Sequence, residues 1–210
     1  MKNILCFGDS LTWGYEANTE KRIAPDKRWT GVLANTLGSE YHIIEDGLNG
    51  RTVCNDDCMF GNKNGVKHLE VALECHKPLD LVIVLLGIND LKQRFALTAT
   101  DVAYGLYHLV TKIQSFPFVV YDCPEILVIC PPEVGTGVFD APFGEMFSFS
   151  AIEKSKKLPS VLESLMEMAG CHYMKAGDFC VTCPEDGIHL DIENNRKLGE
   201  AVAIKVKEIL

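Results

Sequence analysis

No stretch of this chain approaches the roughly 18 consecutive apolar residues of a membrane span. Its first apolar segment, Ile4 to Phe7, is far shorter than the h-region of a secretory signal and runs straight into a polar motif. A membrane role and a signal peptide are therefore not expected. Positive charge is also scarce. Twenty Lys and Arg stand against 29 Asp and Glu, a net charge of −9, and such a field repels nucleic acid and anionic membrane surfaces. Neither is expected as a partner, and no run of like charge is long enough to form a tail. Internal repeats, low-complexity segments and interdomain linkers are missing too. Cysteine is not scarce, but its count of nine is odd. Cys6 and Cys130 lie in strand-like apolar runs, where a free thiol behaves as a small hydrophobe. A disulfide framework is not expected, and a reducing, cytoplasmic location is.

What remains is the composition of a soluble globular chain: 47% apolar and 23% charged over 210 residues, enough for one domain with a real core. Short apolar runs without alternation, at residues 3–7, 42–45, 79–86 and 126–130, read as buried strands, with a weaker fifth at 172–175. Helical spacing of apolar residues marks 29–37, 66–75, 101–114, 150–168 and 192–210, with Thr100 or Asp101 as the cap of the third. Alternating strands and helices predict an α/β fold, a three-layer α/β/α sandwich around a mainly parallel sheet of about five strands. Right-handed crossovers then bring every strand's C-terminal end to one edge. Two loops, 55–65 and the Phe-rich 133–149, are longer than a connection needs.

That edge collects chemistry. After the successive strands come Gly8-Asp9-Ser10, Asn49-Gly50, Gly87-Ile88-Asn89-Asp90, Pro131-Pro132 and, before the last helix, Asp186-Gly187-Ile188-His189. A serine hydroxyl becomes a nucleophile when an imidazole removes its proton, and the imidazole needs a carboxylate on its other nitrogen. Ser10, His189 and Asp186 supply the three. The backbone N–H groups of Ser10 and Gly50 and the Asn89 amide would serve as oxyanion donors. Singly, each has a plainer reading: Ser10 caps a helix, Asn49-Gly50 makes a turn, Asn89-Asp90 caps the next helix.

Taken in order, GDSLTWG, the glycine of GLNGRT, LLGIND and DGIHLD resemble the SGNH (GDSL) hydrolase superfamily. DKRWTGVLA, PLDLVIVLLGIND and ENNRKLG are similar to its bacterial arylesterase and acetylesterase branch, whose members also show perhydrolase activity. The resemblance implies a flavodoxin-like sandwich, a catalytic set of Ser10, Asp186 and His189, and an oxyanion hole of Ser10, Gly50 and Asn89, with no cofactor. No Gly-x-Ser-x-Gly elbow of the α/β-hydrolase kind occurs. Asn49 departs from the serine often found before the family's glycine, which alters pocket polarity while leaving the Gly50 N–H. The implied activity is hydrolysis of small esters, acetyl esters first, with a lysophospholipase or acyl-thioesterase and a non-catalytic binding module as alternatives. Relatives of this branch form homo-oligomers, so assembly is expected.

Other residues are weighed beside these. Trp13 is placed as a pocket wall or a packed aromatic. Asp9 is expected to bond backbone near the site; Arg28 and Arg51 could bind a carboxylate or a sugar, with surface pairing the plainer and expected role. Cys180-x-x-Cys183 with Cys54 and Cys58 could be written as zinc ligands, but their spacings differ and no metal is expected. His42, His68, His76, His108 and His172 are read as structural or exposed. The loop 133–149 is expected to lid the pocket or to pack on another subunit.

Overall fold

The computed structural model describes residues 1–210. Five parallel strands run β1 (Lys2–Gly8), β2 (Tyr41–Gly47), β3 (Leu81–Leu85), β4 (Glu125–Cys130) and β5 (His172–Lys175), in the spatial order β2-β1-β3-β4-β5. Between them lie α1 (Ser10–Trp13), α2 (Trp29–Leu37), α3 (Gly65–His76), α4 (Ala99–Gln114), α5 (Phe149–Ala169) and α6 (Ile192–Ile209). The α/β expectation holds, and the sheet is wholly parallel. All five strand readings fall on real strands. The run 79–86 overshoots, because Leu79 and Leu86 are buried outside the ladder rather than in it.

The strands carry the sequence they need. β3 reads LVIVL and is buried along its whole length, as a central parallel strand must be when helices cover both faces. α2 packs on α6, while α4 packs against both α3 and α5, so the helices divide between the two faces. Fifty-one buried residues form one continuous hydrophobic cluster.

Helix ends are where sequence and structure differ most. α4 begins earlier than expected: Thr98, not Thr100 or Asp101, is its cap. The Thr98 hydroxyl accepts from the Asp101 backbone N–H while Asp101 accepts from the Thr98 N–H, a reciprocal capping box. α5 tolerates Pro159 in its interior, and the Pro159 carbonyl accepts from the Tyr173 hydroxyl at 3.1 Å.

Register decides the site. Gly8 pairs with Gly47 on one side and with Leu85 on the other. Three strands thus end level at one edge, and the segments that leave them meet there.

Candidate active site

Gly8 is the last residue of β1 because the turn beyond it has no room for a side chain: a Cβ would lie 2.1 Å from Thr12 Oγ1 and 2.9 Å from the Leu85 carbonyl. Asp9 then caps α1, its Oδ1 accepting from the Leu11 N–H at 2.9 Å. Ser10 therefore opens a short helix directly beyond the strand, buried but facing a cavity.

The other partner arrives from the far end of the chain. Gly187 adopts φ +63°, which glycine accepts without strain. The turn it makes brings Asp186 and His189 together. His189 Nδ1 lies 2.5 Å from Asp186 Oδ2, and His189 Nε2 lies 2.8 Å from Ser10 Oγ. Asp186 Oδ1 accepts from the N–H groups of Ile188 and His189, each at 2.9 Å, and from the Cys183 thiol at 3.3 Å. Burial alone would raise its pKa. The hydrogen bond and charge of His189, with the two backbone donors, outweigh burial and hold the carboxyl down at about 2. The acid is thus kept as an oriented carboxylate. The His189 ring is braced by Tyr15, with ring centroids 4.3 Å apart, and by the edge of Phe143 at 5.8 Å.

Asn89 opens a 3-10 turn after Gly87, whose φ of +128° lets the chain leave β3 sharply. Its Nδ2 donates to Asp9 Oδ2 at 3.3 Å, so the acid that caps α1 also fixes this amide. Burial pushes Asp9 up to about 6 against the Leu11 N–H and nearby cations. Next door, Asp90 accepts from the Val53 N–H at 2.9 Å and from Asn55 Nδ2 at 3.1 Å. It ties the loop after β2 to the loop after β3, and burial raises it to about 7.

A cavity of about 290 Å³ opens over these groups, and its lining contains Ser10, Asn49, Gly50, Asn89 and His189. A larger groove of about 640 Å³ runs between α5, β5 and α6, away from Ser10, and carries none of this chemistry. The arrangement suits acyl transfer: a hydroxyl on an imidazole, an imidazole on a carboxylate, and amide donors at a strand edge.

Some expected site residues stand elsewhere. Trp13 is not in the cavity lining; it lies under the Arg22 guanidinium, 5.1 Å from the ring centroid. Gly14, with φ +84°, ends α1 and turns Tyr15 into the position expected of Trp13. Asp9 lies beneath the site rather than in its wall. Arg51 is no surface pair: it is 3% exposed, donates to the carbonyls of Gly8 and Asp46 and to Asp46 Oδ1, and covers Phe7. Arg28, also buried, bonds Glu45 and the Ile23 carbonyl. No group of three or more His, Cys, Asp or Glu is placed to hold a metal.

Sequence reasoning missed Tyr15, Phe60, Lys63, Lys92 and Ile188, which all line the cavity. None of them carried a legible signal: Lys92 sits among Asp90, Gln93 and Arg94, where one more charged residue does not stand out. From the loop 133–149, Phe143, Met146 and Phe147 line the cavity.

A parallel sandwich with a serine, histidine and aspartate at its strand edge defines a class of hydrolytic enzymes. Residues 6–192 match the GDSL-like lipase/acylhydrolase family. The solved structure of Est24, a carbohydrate acetylesterase from Sinorhizobium meliloti, is 40% identical and superposes with a TM-score of 0.95, each chain covered over 100%. The aryl esterase of M. smegmatis is 39% identical with a TM-score of 0.95, again with 100% of each chain covered. A lipolytic protein of the G-D-S-L family from Veillonella parvula, 14% identical with a TM-score of 0.71 and 100% of both chains covered, shares the fold. No curated protein matches the chain. The chain belongs to the GDSL-like lipase/acylhydrolase family, and it is an ester-hydrolysing enzyme. No helix is long and apolar enough to cross a membrane.

Proposed function

We propose that this esterase hydrolyses small carboxylic esters, acetyl esters among them, through an acyl-enzyme on Ser10. Ser10 Oγ attacks the ester carbonyl as His189 Nε2 takes its proton, and Asp186 holds the imidazolium that forms. The tetrahedral oxyanion is met by the N–H groups of Ser10 and Gly50 and by Asn89 Nδ2. The carbon–oxygen bond to the alcohol then breaks, with His189 returning the proton to the departing oxygen. Water, deprotonated by His189, attacks the acyl carbon and frees Ser10 with the carboxylic acid.

The observation that carries this reading is the unbroken chain Ser10–His189–Asp186, at 2.8 and 2.5 Å, opening on a cavity of about 290 Å³. A cavity at the small end of the range for ligand sites favours short acyl groups. Support for carbohydrate acetates and for aryl esters comes from the relatives named above.

The test is hydrolysis of p-nitrophenyl esters from C2 to C16 by wild type and Ser10→Ala in parallel. Activity that peaks at C2–C4 and falls to near background in Ser10→Ala is expected. A peak at long chains would move the assignment to lysophospholipase or thioesterase chemistry. Silence of both folded proteins would leave a binding module. The reading extends to one domain acting in the cytoplasm, where thiols such as the buried Cys6, Cys130, Cys180 and Cys183 stay reduced. It also extends to a homo-oligomer, supported by Met59, Phe60 and Phe149, which are 55–77% exposed.

A further inference from the structure

The wall of the cavity that contains Gly50 presents two lysines and no carboxylate. Lys92 lies in that wall and is only 7% exposed. A Cβ built on Gly50 would lie 4.0 Å from Lys92 Nζ and 3.7 Å from Lys63 Cε, so two ammonium side chains flank one oxyanion donor. The acids nearby are committed elsewhere. Asp57 is held by Arg94 at 2.6 Å, Asp90 by the Val53 N–H and Asn55, and Asp9 by the Leu11 N–H and Asn89. No carboxylate lines the cavity. Asn49, in the same wall, has a buried Oδ1 with no hydrogen-bond partner.

A buried ammonium whose neighbouring acids are engaged by other donors is costly, and the cost falls when a ligand brings it a hydrogen-bonding partner of opposite charge. The position indicates which part of the substrate does so. His189 must return its proton to the departing alcohol, so the alcohol oxygen lies on the His189 side of Ser10. The lysines flank Gly50, the donor expected for the carbonyl oxygen, which leaves that wall to the acyl part.

We propose that Lys92, with Lys63 beside it, forms an anion-binding subsite on the acyl side of Ser10, which admits acyl groups ending in a carboxylate: half-esters of short dicarboxylic acids. The proposal rests on Ser10 as the nucleophile. Ser10 forms the half-acyl ester, the alcohol leaves with the proton from His189, and water releases the free dicarboxylate. Throughout, the distal carboxylate bonds to the ammonium groups.

The groups around Lys92 agree with this. Burial and the neighbouring Arg94 lower it to about 8, against Asp57, Asp9 and Asp90, which raise it. Lys63 stands beside it by Gly50, and His189 lines the same cavity. Lys92 is therefore largely charged at pH 7 and loses its charge as pH passes 8.

The experiment compares monomethyl succinate with methyl pentanoate in a pH-stat, for wild type, Lys92→Gln, Lys92→Arg, Lys63→Gln and Ser10→Ala. The readout is the ratio of the two kcat/KM values. Lys92→Gln is expected to lower that ratio at least tenfold, the scale of one charge-assisted hydrogen bond. Lys92→Arg is expected to restore most of it, and in wild type the ratio should decline from pH 7 to 9. Loss of both activities in equal proportion would assign Lys92 to the reacting centre and overturn the subsite. An unchanged ratio would overturn it too. So would an anion preference seen only when the charge sits on the alcohol, tested with acetoxyacetate against acetoxyacetamide. Should Lys92→Gln fail to fold by circular dichroism, Lys63→Gln and the wild-type pH series read the same ratio. Methyl pentanoate turnover that survives Ser10→Ala would instead undo the proposed nucleophile.

Discussion

Asp186 does three things with one side chain: it bonds His189 Nδ1, fixes the turn through two backbone N–H groups, and remains ionised. Asp186→Asn keeps the shape and loses the charge that stabilises the imidazolium. Its kcat should fall by on the order of 10²–10⁴ while the fold survives, measured on p-nitrophenyl acetate with a thermal melt alongside. The buried acids also set opposite pH dependences of stability. Asp186 is held below its unfolded value, so its contribution is present above about pH 4 and is lost as pH falls toward 2. Asp90 is held above its unfolded value, at about 7. As pH rises from about 4 to 7 the unfolded chain releases that proton first, so the native state loses stability across this window. Asp90→Asn removes this loss. In melts from pH 4 to 8, the Tm difference, variant minus wild type, should become more positive up to pH 7; a flat difference would sink the assignment.

At the scale of elements, α1 is the most constrained piece of the molecule. A Cβ on Gly47 would lie 2.2 Å from the Trp13 backbone nitrogen and 2.6 Å from its Cα, both backbone atoms that cannot swing aside. Gly47→Ala must push α1, and Ser10 with it, away from the sheet. The expected cost is about 1–3 kcal/mol, or a Tm fall of roughly 2–12 °C for a chain of this size, with a loss of esterase activity larger than the stability change explains. β1, β3 and β4 were legible in the sequence as apolar runs that stop at or just before glycine or proline, while β2 and β5 carry His42, Glu45, His172 and Lys175 and signal more weakly. Ser10, Gly50 and Asn89 were legible because each closely follows a strand end, and Asp186 and His189 as an Asp-x-x-His pair just before the last helix. Tyr15 and Lys92 were not: a left-handed glycine and a 3-10 turn aim them, and apolar periodicity carries no record of either. The α4 cap was misplaced for a similar reason. Thr98 and Thr100 offer the same chemistry, and only the reciprocal bond with Asp101 separates them.

For the whole molecule, surface and site have opposite electrostatic characters: the chain carries −9 overall, yet its cavity is lined by two lysines and no acid. Anionic substrates are slowed by the outer field and held by the inner one. Raising ionic strength should therefore raise the association-limited rate for a half-ester before it weakens binding, a sequence that stopped-flow measurements at graded salt would resolve. Assembly is checked by light scattering; a monomeric mass would leave the 133–149 loop as a lid alone. The order of the chain adds a consequence in time. Ser10 and His189 are 179 positions apart and meet only when β1 and the last loop share one edge. At roughly 5–20 residues per second, a ribosome makes the hydroxyl about 10–40 seconds before the imidazole that activates it. Throughout that interval the nascent chain holds an inert alcohol, so hydrolysis begins only once synthesis has passed the final loop and the sheet has closed around both ends.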